Sequence, residues 1–392
     1  MKVLRIGDFC KTGSGGTPNR SKQSEYYDGG TIPWVKSGEL AQSVIDSAEE
    51  FITKSGLGDS SAKLLPPGAI LIAMYGATVG QVARLAISAA TNQAICHIYP
   101  DQEVCSPDYL YRFLEGAKNR LLAKRVGGGQ PNISQKIVRD LRVALPPLAE
   151  QKRIAEILDA ADRLRAQRRE ALAQLDTFLQ STFLDLFGDP VTNPMGWEQV
   201  ELSSLIEDED KINYGVVQPG DDQLHGKPFI RVGDFVGGVL RIANVKLIDP
   251  EIEAKYLRSR LNGRELLVSC VGSIGTVCKV PNEAAGFNIA RAVARVPLKE
   301  NISRDFMLHC LRSEAVQRHF LKETRTVSQP TLNIGLIKTT PVIQPPSELQ
   351  RRFAAIVAAI EAQKARHCAH LADLDTLFAA LQQRAFNGEL TA

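Results

Sequence analysis

The chain has 392 residues, enough for two to three domains at roughly 150 residues each. Its 47 Lys and Arg balance 44 Asp and Glu to a net charge of +3. That excludes a polycation that holds nucleic acid through overall charge, so any such basic residues must be segregated locally. With 44% hydrophobic and 23% charged residues, the composition is that of ordinary globular protein, neither disordered nor collagen-like.

The opening MKVLRIGDF turns polar too soon for a secretory signal, and no apolar run approaches the roughly 18 residues of a membrane span. A cytoplasmic protein is expected. The seven cysteines, Cys10, Cys96, Cys105, Cys270, Cys278, Cys310 and Cys368, are scattered without a CxxC pair and read as reduced thiols rather than a zinc site or disulfide framework. His367 and His370 share a helix face beside Cys368, but no second ligand pair is placed to complete a tetrahedral metal site.

In chain order, the first stretch is rich in Gly and turn signals, with short apolar runs such as Ala69–Ala73 that read as strands and a short helical segment near 107–125. The character changes after Pro146-Pro147. From Ala149 to Phe187 there is no Pro or Gly for 39 residues, a run of helix formers about 60 Å long at 1.5 Å per residue. A second Gly-rich stretch follows, with a strand at Glu265–Ser269 and a short helix near 303–322. After Pro345-Pro346 a second run of 39 residues, Glu348 to Phe386, again lacks Pro and Gly. Apolar residues in steps of three and four (Ile154, Ile157, Ala161, Leu164, Leu175, Phe178; then Phe353, Val357, Ile360, Leu371, Leu374, Phe378, Leu381) suggest a heptad seam. Arg168 interrupts it in the first helix, and Lys364 and His367 do so in the second. Parallel and antiparallel pairing both remain open, and the competing reading is a long amphipathic core helix.

The two halves repeat each other. Pro33–Leu40 matches Pro228–Phe235 at an offset of 195; Gly76–Gly80 answers Gly272–Gly275, and Asn92 answers Asn288, at 195 to 196; Gln130-Pro131 answers Gln329-Pro330 and Gln151-Lys152-Arg153 answers Gln350-Arg351-Arg352 at 199. Order and offset persist together, so the chain is two diverged copies of one module of about 195 residues. The fold expected is α+β: two mixed domains in tandem, joined by two long helices that pair as a coiled-coil spacer. The boundaries expected are 1–146, 147–188, 189–345 and 346–388.

Catalytic motifs are missing. There is no GxxxxGK[ST] loop, no GxGxxG, no HExxH, and the Pro-Pro pairs lack the preceding Asn or Asp of an adenine methyltransferase. Glu253 and Lys255 form a nuclease-like Glu-x-Lys with Asp234 upstream, but the first copy has no equivalent. Binding remains. Basic residues cluster at 118–142 and 227–264 while the helices are near neutral, a distribution suited to neutralising phosphates in the globular parts.

At these landmarks the chain resembles a known family. Gly13–Pro18, Tyr26-Tyr27-Asp28-Gly29-Gly30, Ile32–Val35, GATVG at Gly76–Gly80, Thr91-Asn92-Gln93-Ala94 and Gly129–Ser134 are similar to a target recognition domain of type I restriction-modification specificity subunits. Leu145–Ile154 and Phe386–Leu390 resemble the start of that family's central helix and the end of its distal one. Trp197 opens the second domain in the family's manner, whereas the first copy begins at Met1. The second copy lacks the Tyr-Tyr-x-Gly-Gly stretch, so its recognition loops are not mapped from the first.

The resemblance implies a non-catalytic subunit that reads a split, asymmetric site in double-stranded DNA, with target recognition domains at 1–146 and 189–345 and an antiparallel helix pair. It implies two DNA methyltransferase subunits bound through the long helices and restriction subunits bound through those. The chain itself is expected to bind no cofactor, with AdoMet, ATP and Mg2+ on the partner subunits. The alternatives are a protein-interaction scaffold without DNA contact, or the specificity chain of another modification system. Lys36 and Arg231, at equivalent positions beside a glycine, are candidate backbone contacts whose competing reading is an ion pair with Glu39 or Asp234. Arg20, Lys22, Arg125, Gln130, Arg291, Arg325 and Gln329 are candidate DNA contacts because Arg and Gln can grip base edges bidentately. Tyr75, Thr78, Asn92 and Asn288 stand at repeated landmarks, which argues equally for folding.

Overall fold

The computed structural model describes residues 2–123, 132–324 and 331–390. Candidates Arg125, Gln130, Arg325 and Gln329 therefore lie outside the described residues. Two long helices dominate, Leu148–Phe187 and Ser347–Asn387, each beginning directly after a Pro-Pro pair that cannot itself be helix interior. Gly188 and Gly388 end them at positive φ, 72° and 80°, the left-handed conformation that glycine takes without penalty.

The chain divides into two compact units, and the division falls inside both helices: Met1–Arg169 with Ala369–Ala392, and Glu170–Cys368. In the first unit, strands Cys10–Ser14, Ile95–Pro100, Ile70–Ala73, Val82–Leu85 and Val44–Ile45 form a five-stranded sheet in that order, antiparallel except for the last pair. A second sheet orders Glu50–Ile52, Ile32–Val35 and Ala90–Thr91, the last two parallel. Lys2–Arg5 pairs with Arg142–Leu145, so the domain's last strand closes on its first just before Pro146. The expected helix near 107–125 is two helices, Pro107–Gly116 and Lys118–Ala123.

The second unit repeats this plan. Asn213–Tyr214, Val293–Val296, Leu266–Ser269 and Val277–Lys279 form an antiparallel sheet. Lys246–Ile248, Lys227–Ile230 and Asn288–Ile289 form the sheet with one parallel pair. Gln199–Glu201 closes on Pro341–Ile343. The helix near 303–322 is again broken, into Arg304–Arg312 and Glu314–Thr324.

Each domain core is completed by helix. In the first unit Ile154, Leu158 and Ala161 from the first helix, and Phe378 and Ala385 from the second, join the buried cluster around Tyr109, Leu110 and Leu114. In the second unit Leu179, Phe183 and Phe187 meet Phe353, Val357 and Ile360 around Phe306 and Met307. Within each unit the helix halves run antiparallel. Arg153 reaches the Leu390 carbonyl and Arg165 pairs with Asp375 at 2.6 Å; in the other unit Asp176 pairs with Lys364 at 2.8 Å and the Phe183 and Phe353 rings lie 5.6 Å apart. The antiparallel option left open by the sequence is thus the one adopted.

The seam read from the sequence is corrected at two positions. Leu164 and Phe178 are 52% and 57% exposed, while Leu158 and Leu179 are buried in their stead. The apolar stripe turns toward the domain cores, where more area can leave water than between two thin helices. Lys364, an interruption on paper, reaches outward to Asp176 and Glu361.

Candidate nucleic-acid interface

The two domains share a junction where a glycine element crosses the parallel strand pair. In the first domain Gly15 lies so close to the Thr91 and Asn92 carbonyls that any Cβ would overlap them. Gly16 N–H donates to Thr91 O at 2.8 Å, and Asn92 N–H donates to Val35 O at 3.0 Å. In the second domain Gly215 lies against the Ile289 carbonyl with no more room, Val216 N–H donates to Ile289 O at 2.7 Å, and Ala290 N–H donates to Ile230 O at 2.9 Å. These bonds equate Thr91 with Ile289, Asn92 with Ala290, and Gln93 with Arg291. The pairing of Asn92 with Asn288 read from the sequence is corrected: the strand register places Asn288 opposite Phe229, as Ala90 is placed opposite Trp34.

Asn288 is fully buried and its polar atoms are engaged. Its Oδ1 accepts from Ser259 Oγ at 2.7 Å and from Ile289 N–H at 2.8 Å, while its Nδ2 donates to Tyr256 O at 3.1 Å and Glu253 Oε1 at 3.2 Å. It is a fold residue and no candidate for DNA contact, because a side chain with no exposed surface cannot reach a base. Asn92 is half-buried and caps its own turn, accepting Ala94 N–H at 3.2 Å. Gln93 and Arg291 follow the junction and are exposed. The Arg291 backbone is pinned by its N–H to Val216 O at 3.0 Å, while its guanidinium has no partner among the described residues.

Lys36 and Arg231 do sit at equivalent places, each starting a short 3-10 turn whose third residue caps it: Glu39 Oε1 accepts Lys36 N–H at 2.7 Å and Asp234 Oδ2 accepts Arg231 N–H at 2.6 Å. The side chains differ. Lys36 Nζ is held by Glu49 and Glu50, both at 3.0 Å, rather than by Glu39, and these hydrogen bonds raise its pKa above the usual lysine value. The Arg231 guanidinium is 52% exposed and only 3.8 Å from Asp234. Arg20 bridges to Glu50 at 2.7 Å and lies 4.3 Å from the Tyr27 ring centroid and 5.0 Å from that of Trp34. Burial alone would raise the Glu50 carboxyl, but hydrogen bonds from Lys36 and Arg20 hold it below the ordinary glutamate value. Lys22 contacts Glu25 at 3.1 Å and the Tyr26 hydroxyl at 3.0 Å. Tyr75 is 41% exposed and forms an isolated bridge with Asn132, and Thr78 ends the adjoining 3-10 turn.

Two cations of the basic stretch at 227–264, not singled out as DNA contacts, adjoin the second junction. Lys255 and Arg258 are exposed on the 3-10 segment Ala254–Ser259, beside Asn213 and Tyr214, around a cavity of about 420 Å³. The signal that could have found them is Gly215, which repeats Gly15 at an offset of 200 and marks the loop cluster.

Residues 1–174 match the family model described as the type I restriction modification DNA specificity domain. The chain is 29% identical over 332 residues to the EcoBI specificity subunit of Escherichia coli, covering 78% of this chain and 70% of that protein. It is 25% identical over 382 residues to the MjaIX specificity subunit of Methanocaldococcus jannaschii, covering 91% and 85%. Its fold is similar to a chain from a type I R-M system (TM-score 0.62, 19% identity, 99% and 98% coverage) and to the S subunit from M. genitalium (TM-score 0.55, 16% identity, 98% and 96% coverage). With the duplicated domains and the two long helices, these matches make the chain similar along most of its length to the type I restriction-modification specificity subunits.

Proposed function

We propose that the chain supplies DNA sequence specificity to a type I restriction-modification complex and performs no chemistry itself. Each domain would read one half of a split site in duplex DNA. The observation that carries this reading is the shared junction: one backbone framework presents different side chains at matched positions, Gln93 in one domain and Arg291 in the other. Gln pairs bidentately with adenine and Arg with guanine, so a common scaffold with exchanged readers suits an asymmetric target. The long helices would hold two methyltransferase subunits, and restriction subunits through them. AdoMet, ATP and Mg2+ would be bound by those partners.

The test is an exchange of residues 1–146 for the matching domain of a relative, followed by sequencing of N6-methyladenine in host DNA. One half of a bipartite motif should change and the other stay. A motif unchanged in both halves would refute the assignment and favour a scaffold that does not touch DNA.

A further inference from the structure

We propose that Lys255, Arg258 and Arg291 form the face on which the second domain grips the phosphodiester backbone of duplex DNA. This rests on the DNA-reading function proposed above and names the residues that would execute part of it.

The cations of this domain differ in whether a carboxylate engages them, and Lys227 and Arg241 are among the exposed ones without an ion pair among the described residues. Many are engaged by carboxylates: Arg260 with Glu253 at 2.7 Å, Lys279 with Asp305 at 2.5 Å, Lys299 with Asp208 at 3.0 Å, Arg295 with Asp210 at 2.5 Å and Glu265 at 2.9 Å. Lys255, Arg258 and Arg291 are exposed and have no carboxylate within ion-pair distance among the described residues. Glu253, the nearest buried acid on their segment, is taken by Arg260 and Asn288. Glu251, exposed one turn before Lys255, makes no ion pair with it.

The three cations are also brought together by bonds that leave their charged ends unengaged. Asn288 ties Tyr256 and Ser259 to the strand that leads to Arg291. Asn213 Nδ2 donates to the Arg258 carbonyl at 2.6 Å, and Arg291 N–H donates to Val216 O at 3.0 Å. Three segments distant in sequence are thus stitched through backbone and neutral groups. The cationic heads project from a backbone that is already held in place, so that binding a polyanion need order only the side chains. The Glu253-x-Lys255 pair that looked nuclease-like is part of this arrangement: its acid is structural and its lysine faces outward.

The experiment is a salt titration of the full chain with a random-sequence duplex, followed by fluorescence anisotropy. Lys255→Gln, Arg258→Gln and Arg291→Gln should each flatten the slope of log affinity against log salt by about 0.9, and the triple variant by about 2.7. Arg318→Gln, which removes an exposed charge already 3.7 Å from Glu314, should leave the slope unchanged. In the unaltered chain, DNA should protect Lys255 from an amine-reactive acylating reagent read by mass spectrometry, a measurement independent of how the variants fold. A triple variant with the original slope, or a Lys255 that is acylated equally with and without DNA, overturns this face while leaving the DNA reading intact. A change in base preference at constant slope also overturns it. A chain that binds no duplex at low salt overturns both.

Discussion

Gln151 accepts the backbone N–H of Ser106 at 2.9 Å, and its counterpart Gln350 accepts that of Ser303 at 3.0 Å, so one buried carboxamide locks each long helix onto the N-cap of its domain's helix. Both glutamines are almost wholly buried, at 1% and 2% exposure. Gln151 Nε2 also donates to Val104 O and Pro146 O, and Gln350 Nε2 to Pro345 O. Gln151→Ala and Gln350→Ala each strand a buried N–H and at least one carbonyl. The expected cost is about 1–3 kcal/mol per stranded group, read as a lower urea midpoint. A midpoint unchanged in both variants would show that water replaces the amide and that the lock is dispensable.

The helices were legible because an uninterrupted run free of Pro and Gly has few alternatives, and Pro-Pro and Gly bracket each one. The duplicated landmarks were legible for the same reason, since Gln151 and Gln350 do one job twice. The sheets were not. Ala90–Thr91 and Asn288–Ile289 are two-residue strands in parallel pairs with partners more than fifty residues away, and two residues carry no period. The site suffered most, because loop insertions move the offset from 195 at Pro33 to 200 at Gly15. A fixed offset therefore matched Asn92 with Asn288, when the strand register matches it with Ala290.

Asn288 and Arg291 should separate folding from contact. Asn288→Ala removes four hydrogen bonds from a fully buried group and is expected to lower stability by about 1–3 kcal/mol for each group left unpaired. Arg291→Gln removes an exposed charge with no partner among the described residues, so thermal stability should move by less than about 0.5 kcal/mol. Paired thermal melts decide it, and equal losses in the two variants would contradict the division.

The helix halves carry one ion pair in duplicate, Arg165–Asp375 at 2.6 Å in the first unit and Lys364–Asp176 at 2.8 Å in the second. Partly exposed pairs contribute about 0.2–1 kcal/mol, so Asp375→Ala and Asp176→Ala should each cost little. Arg165 additionally lies 4.2 Å from the Phe378 ring centroid, a contact that Lys364 does not duplicate among the described residues. Arg165→Ala should therefore exceed Lys364→Ala in cost. Denaturant titrations of the four single variants test the order, and a reversed order would remove the aromatic contribution.

His309 gives the second unit an acid sensitivity that the first lacks at the matching position, where Arg112 stands. The imidazole packs 5.3 Å from the Phe353 ring centroid and 6.5 Å from that of Phe183. Burial, reinforced by the nearby Arg312, Lys364 and Lys279 charges and opposed by Asp305, lowers its pKa from 6.5 to about 4. In the folded chain it stays neutral over a range where the unfolded chain binds a proton. The unfolded state thus takes up more protons between pH 6.5 and 4, and stability falls as pH drops through that window, by up to roughly 3 kcal/mol for this group. Above pH 6.5 the residue contributes no pH dependence. His309→Gln keeps a neutral polar side chain without the titration, so the difference in urea midpoint between variant and native chain should shift in the variant's favour from pH 7 to pH 4.5. A difference that stays constant over that range would mean that His309 is protonated in the folded protein as readily as in the unfolded one.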